Sequence, residues 1–437
     1  MNTAPHMRTL VEVLDALRHY GATEAYLKRL ARTDSSQGQV YLGPGFQALN
    51  IIPSGPMRAE KSTHGSTFKA SVGLLWLADD GSLCPAPSAQ LILYPQYPEV
   101  RMSGFLRGCA VAPKDVMRDR GDGRVLILGV RPDGTVVGYA AGPGTPLACD
   151  VADLDLRHIG IFEELPLVGD SRTHLLSELR RIHELGWLDS VKLTRGGPVS
   201  YVARNGGGYT LEAHLGILPN GRGEPDFEGW EVKQHGVNSF DRVEIGVLTL
   251  MTPEPTKGYY SDAGAEAFVR KFGYADRQGR VGRTNFGGVH RVGETSPLTG
   301  LRLEFDGYDP ATGLVTDVGG ALNLVAQDGA VAAGWPFDHL LDLWNRKHAQ
   351  AVYVPSLRRT HPSTQYSYGP SVRLGIGTDF LHLLMALASG SVYYDPGIKL
   401  EEVDGRIAMK KRSQWRVKAR ELPRLYEKIE DVELVCD

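Results

Sequence analysis

The first apolar pattern in the chain is helical. Leu10, Val13, Leu14 and Leu17 recur at the three- to four-residue spacing of a single helix face, which predicts an amphipathic helix over residues 9–20. Beyond it the period shortens to two. The runs 25–30, 39–42, 69–77, 89–93, 124–130 and 135–140 read as short strands, separated by turn signals such as Asp79-Asp80-Gly81 and Pro132-Asp133-Gly134. Many short strands at this spacing predict a barrel or sandwich behind one short helix. A linker over 165–170 then leads into renewed helical spacing at Leu175, Leu176, Leu179, Ile182 and Leu185. Further on, 242–251 is a nearly continuous apolar run stopped by Pro253 and Pro255, as expected of a buried strand. Residues 337–349 place Leu340, Leu341 and Leu343 on a helix. The pattern thus predicts a mostly β domain over 1–164 and an α/β domain over 165–437.

Composition narrows the class. The 437 residues suffice for two or three domains, and 42% hydrophobic with 23% charged residues is the balance of a soluble globular protein. The formal net charge is only −3, so any surface for nucleic acid must be local, with acidic residues segregated elsewhere. Cys84, Cys109, Cys149 and Cys436 form no CxxC pair, which argues against a zinc ribbon and a disulfide framework. Glu12 and Asp15 interrupt the first helix, so it does not read as a targeting segment, and no apolar run approaches the ~20 residues that cross a bilayer. The expected compartment is the cytoplasm, with no membrane partner.

The candidate chemistry lies in GGGYTLEAHLGILPNGRGEPDFEGWEVKQH, residues 206–235. Glycines open a short helical pattern that carries Glu212. A polar loop over 220–223 and Pro225-Asp226 follow, and then an alternating run in which Glu231 and Lys233 share one strand face while Val232 turns inward. Asp226 lies an odd number of positions before Glu231, so a regular strand would put the two carboxylates on opposite faces; Glu228-Gly229 supplies a bend or bulge that reunites them. Two carboxylates and a lysine suit Mg2+-assisted phosphodiester hydrolysis, with Asp226 and Glu231 as metal ligands and Lys233 orienting the attacking water or stabilising the transition state. By itself, Glu-x-Lys on a strand is more often a solvated ion pair.

The string PD, four residues, then ExK, with a helix-borne glutamate upstream, resembles the PD-(D/E)xK nuclease core, and the wider stretch is similar to the MvaI/BcnI family of restriction endonucleases, relatives of the mismatch-repair nickase MutH. The resemblance continues through Trp344-Asn345-Arg346-Lys347-His348, Ala351-Val352-Tyr353-Val354-Pro355, Tyr368-Gly369, Gly377-Thr378-Asp379-Phe380 and Tyr393-Tyr394-Asp395-Pro396-Gly397, spanning roughly 168–411. It implies a nuclease fold with a central mixed sheet flanked by helices. It further implies an Mg2+-dependent type II site-specific deoxyribonuclease, monomeric, cutting one strand and then the other at a short pseudopalindromic site such as CCWGG or CCSGG. A cognate methyltransferase would act on the same site in the host. Glu212 looks like the glutamate that assists the metal site in MutH-like enzymes. His235, on the face of Lys233, reads either as a proton shuttle, since imidazole titrates near neutral pH, or as an ordinary core or surface histidine.

The N-terminal half is similar, in Tyr26-Leu27-Lys28-Arg29-Leu30, Gln39-Val40, 91–107 and 124–130, to the DNA-binding pseudobarrel that serves as the effector domain of the restriction enzyme EcoRII. That resemblance implies type IIE behaviour, in which a second DNA copy bound there stimulates cleavage. Two polar connections would form its DNA-clasping arms, one with Arg32, Asp34 and Gln37, the other with Glu99, Arg101 and Arg107; solvated loops are the alternative. In the C-terminal half, Arg283 in a glycine-rich loop and Lys347, His348, Arg358, Arg359 and Tyr366 are candidate phosphate or base contacts. The stretch 409–420 reads as a cationic helix face or a phosphate-binding patch. Competing readings are a DNA-binding protein with a degenerate nuclease core, a MutH-like strand-nicking repair enzyme, and a glycosidase with paired carboxylates, which leaves Lys233 and the scattered arginines unused.

Overall fold

The Thr9 hydroxyl accepts from the Glu12 main-chain N–H at 3.3 Å while the Glu12 carboxylate accepts from the Thr9 N–H at 2.8 Å, a reciprocal cap that starts the helix Leu10–His19 in this computed structural model. The structure describes residues 8–32, 39–62, 65–167, 171–203, 205–219, 225–345, 348–403 and 406–434. Two units emerge, 1–177 and 178–437, divided within the helix Ser171–Glu184.

In the first unit, the helix face predicted from Val13, Leu14 and Leu17 is buried against Ala25, Leu27, Ile127, Val137 and Tyr139. These belong to a seven-stranded sheet whose centre is Arg124–Val130, buried at every position between Glu24–Leu30 and Val136–Ala141. A second, antiparallel sheet of five strands runs Gln39–Pro44, Glu99–Ser103, Gln90–Tyr94, Gly65–Ser71, Arg58–Ser62. Neither sheet closes into a barrel among the described residues. The expected strand over 69–77 is two, Gly65–Ser71 and Leu74–Leu77, which belong to different sheets. The chain changes sheet at Val72-Gly73, a step that a single hydrophobic run conceals.

The second unit is mixed α/β. Its largest sheet contains Glu231–Gly236 running parallel to Gln350–Arg359, with Ala351 opposite Glu231 and Tyr353 opposite Lys233. Ser371–Ile376 and Gln365–Tyr368 pair with Gln350–Arg359 antiparallel, and Lys428–Glu433 lies beyond Ser371–Ile376. The helix Gly206–His214 packs on the Glu231–Gly236 strand. Gly207 permits that approach, because a Cβ there would stand 2.8 Å from the Gln234 side chain and 3.0 Å from the Tyr366 ring. The Tyr368 hydroxyl donates to the Gly207 carbonyl at 2.7 Å and ties the same helix to the sheet.

Three expectations for this unit change. The apolar run over 242–251 is a 3-10 turn, Phe240–Ile245, followed by the strand Val247–Met251. The arginine- and glycine-rich loop contains the strand Arg283–Gly287, paired on both sides. The cationic segment over 409–420 is no helix: Trp415–Lys418 is a strand with Trp415 and Val417 buried, followed by the 3-10 turn Ala419–Arg424. Alternation of buried Trp415 and Val417 with outward Arg416 and Lys418 is a period of two that the density of basic residues masks. No helix among the described residues is long and apolar enough to cross a membrane.

Candidate active site

Between Asp226 and Glu231 the chain makes a tight reversal. Phe227 and Trp230 exchange both main-chain hydrogen bonds, at 2.9 and 2.8 Å, and the two residues between them, Glu228 and Gly229, take φ of 43° and 86°. Positive φ at both central positions is the two-residue turn whose twist matches that of strands. Trp230 is buried and anchors the turn against the core. As a result the Asp226 carboxylate folds back to accept from the Val232 main-chain N–H at 3.2 Å, at the residue that separates Glu231 from Lys233. The bend expected at Glu228-Gly229 is therefore present as a turn.

Glu231 is 1% exposed and forms an ion pair with Lys233, whose side chain is 20% exposed. This is not the solvated pair that such a motif usually makes, since one partner is removed from water and the other reaches outward past it. A buried carboxylate requires compensating positive charge. Lys233 provides some, and a divalent cation at this point would provide more. Oxygen donors from one or two carboxylates, with water and phosphate completing the shell, fit Mg2+. Among the described residues no group of three His, Cys, Asp or Glu side chains gathers as a metal cage. Glu212 is half-buried on the helix that packs on this strand.

His235 shares the strand face of Glu231 and Lys233, as the alternation requires, but lies 9% exposed with neither ring nitrogen hydrogen-bonded. Burial, reinforced by the nearby Arg373 guanidinium, pushes its pKa down to about 4. The near-neutral titration expected of it is thus displaced, and the imidazole is held neutral.

The remaining candidates separate into exposed and enclosed groups. Arg358 and Arg359 are exposed at the end of Gln350–Arg359, and the Arg359 guanidinium lies 4.4 Å from the centre of the Trp187 ring while its Nε donates to Gln365 at 2.6 Å. Sequence reasoning passed over Trp187; it is 37% exposed, and nothing in its own neighbourhood along the chain points to Arg359. Tyr366 and His348, expected to reach DNA, are enclosed. Tyr366 is 3% exposed beneath Gly206 and Gly207, and His348 is 1% exposed, stacked on Trp344 at 4.4 Å. The Arg283 side chain is 8% exposed and committed to Asp276 at 3.3 Å and Glu401 at 2.9 Å, so it is not presented from a loop.

In the first unit Glu99 and Arg101 stand on a strand instead of in a loop arm, because Val100 between them and Met102 after them turn into the core. Arg101 pairs with Glu99 at 2.6 Å, lies over the Tyr94 ring at 5.3 Å and donates to Gln39 at 3.3 Å. Arg107, exposed, lines a cavity on this face with Gln39, Gln90 and Tyr94. Arg32 is exposed and its main-chain N–H donates to Asp122 at 3.1 Å. Asp34, Gln37 and Lys347 lie outside the described residues, as does the loop over 220–223.

Among solved structures the chain is similar to a complex of the restriction endonuclease MvaI with its cognate DNA substrate, at 16% identity and a TM-score of 0.45 over 61% of this chain and 100% of that one. It is also similar to MvaI in the absence of DNA, at 13% identity and a TM-score of 0.33 over 61% of this chain and 98% of that one. None of the curated proteins matches it. The family model of the MvaI/BcnI restriction endonucleases matches residues 176–426, more than half of the chain and including the whole Asp226 to Lys233 site. On that match the chain belongs to the MvaI/BcnI restriction endonuclease family.

Proposed function

We propose that this restriction endonuclease hydrolyses DNA with Mg2+, using Asp226 and Glu231 as the ion's protein ligands and Lys233 to orient the attacking water. The observation that carries the reading is the turn at Glu228-Gly229, which returns the Asp226 carboxylate to the start of the strand bearing Glu231 and Lys233. Bound there, the ion would acidify a water and offset charge on the phosphate. Lys233, anchored by buried Glu231, directs an ammonium at the developing negative charge. Glu212 supports the site from the helix packed on the strand. The first unit binds a further copy of the recognition sequence through Arg32, Arg101 and Arg107 and stimulates cutting. The enzyme acts as a monomer at a short pseudopalindrome of the CCWGG or CCSGG kind, and a cognate methyltransferase protects the same sequence.

Purified protein incubated with plasmid and Mg2+ is expected to nick and then linearise it. Asp226→Ala and Lys233→Ala are each expected to slow cutting by about a hundredfold or more while retaining DNA binding. Full activity in both variants would discard the assignment. Binding by the unaltered protein with no cutting in Mg2+ or Mn2+ would favour a degenerate nuclease core.

A further inference from the structure

In the second unit, Arg291, Lys418, Arg420 and Arg424 line one cavity of about 260 Å³ with Glu421 as the only acidic residue among them. The cations arrive from separate stretches of chain. Arg291 is held in place by two contacts: its guanidinium lies 5.0 Å from the centre of the Tyr393 ring, and its Nε donates to the Gly390 carbonyl at 3.3 Å. The remaining N–H groups of its fork are left for the cavity. Lys418 ends the Trp415–Lys418 strand, and the 3-10 turn that follows delivers Arg420 and Arg424. Glu421 meets Arg424 at 3.0 Å and Arg420 at 3.5 Å, and also accepts from Ser391 Oγ at 3.3 Å. One carboxylate shared by these groups cannot neutralise four cations. Arg291 and Lys418 form no ion pair among the described residues.

Like charges brought together on a chain whose formal net charge is −3 repel one another unless an anion joins them. Forked guanidiniums at three separate positions suit the oxygens of a phosphate, which can accept from several forks at once where a carboxylate has only two oxygens in one plane and a halide has no fork geometry. We propose that this cavity holds a backbone phosphate of duplex DNA, an anchor outside the Asp226 to Lys233 site. The proposal rests on the reading of the chain as a DNA-cutting enzyme.

The test is the salt dependence of DNA binding by the full chain, measured on a 30-base-pair duplex with EDTA present to prevent cutting. Each phosphate contact contributes about −0.9 to the slope of log K against log salt. Arg420→Ala/Arg424→Ala, at side chains 63% and 60% exposed, is expected to make the slope shallower by about 0.9, the contribution of one phosphate, whereas Arg420→Lys/Arg424→Lys keeps it. Glu421→Gln is expected to tighten binding. An unchanged slope in the double alanine variant overturns the proposal. If inorganic phosphate nevertheless bound the unaltered protein and not that variant, the cavity would belong to a free phosphate. Failure of the unaltered protein to bind the duplex at all would instead sink the nuclease reading itself.

Discussion

His235 shows how a side chain's surroundings outweigh its type. Its ordinary pKa of 6.5 falls to about 4 because the buried ring cannot carry charge without losing hydration. Between those pH values the unfolded chain binds more protons than the folded one, so stability declines as pH falls from 6.5 toward 4 and is fully retained above 6.5. At about 1.4 kcal/mol per pKa unit the loss from this residue alone reaches roughly 3 kcal/mol. His290, buried and also lowered to about 4, adds to it. His235→Leu is therefore expected to flatten the acid limb of a plot of melting temperature against pH. An unchanged limb would show that His235 is not held neutral by burial. The same variant decides the proton-shuttle role, since loss of cutting in a folded protein would retain it. Tyr366 and His348 illustrate the same lesson in reverse. Their polar atoms suggest DNA contact, yet both are core residues.

At the scale of an element, the turn between Asp226 and Glu231 is the part of the site most open to engineering. Glu228 takes φ of 43°, a conformation that costs an ordinary L-residue about 1–2 kcal/mol and a β-branched one more. Glu228→Gly is expected to keep or raise the melting temperature and keep cutting. Glu228→Val is expected to lower stability by about 1–2 kcal/mol and slow cutting, because the strained turn no longer returns Asp226 to the Val232 N–H. Equal melting temperatures and equal rates for the two variants would refute the importance of the turn. The Glu228-Gly229 pair was legible as a bend because positive φ is a local property with a glycine signature. The cationic strand Trp415–Lys418 was not, because Lys410, Lys411, Arg412, Arg416, Lys418 and Arg420 hide the alternation that buries Trp415 and Val417.

For the whole molecule, the near-neutral net charge and the local cationic cavities mean that DNA affinity depends on where arginines stand and not on how many there are. The proposed role of the first unit predicts that a plasmid with two recognition sites is cut faster than one with a single site, and that a short duplex carrying the site accelerates cutting of the single-site plasmid. Equal rates in all three reactions would leave that unit without an effector role. Periodicity and spacing in the sequence by themselves determined the first helix, the central strands of the first unit, the strand that carries Glu231 and Lys233, the α/β class and the order of the Asp226, Glu231 and Lys233 motif, because each depends on residues within a few positions of one another. Only the tertiary structure decided that Glu231 is buried, that Arg283 is consumed by Asp276 and Glu401, that Arg359 stacks on Trp187, and that Arg291 joins Arg420 and Arg424 around one cavity. Those outcomes depend on partners far away in the chain, and whether a polar side chain meets water, a counter-charge or a ligand is settled only where the folded chain brings them together.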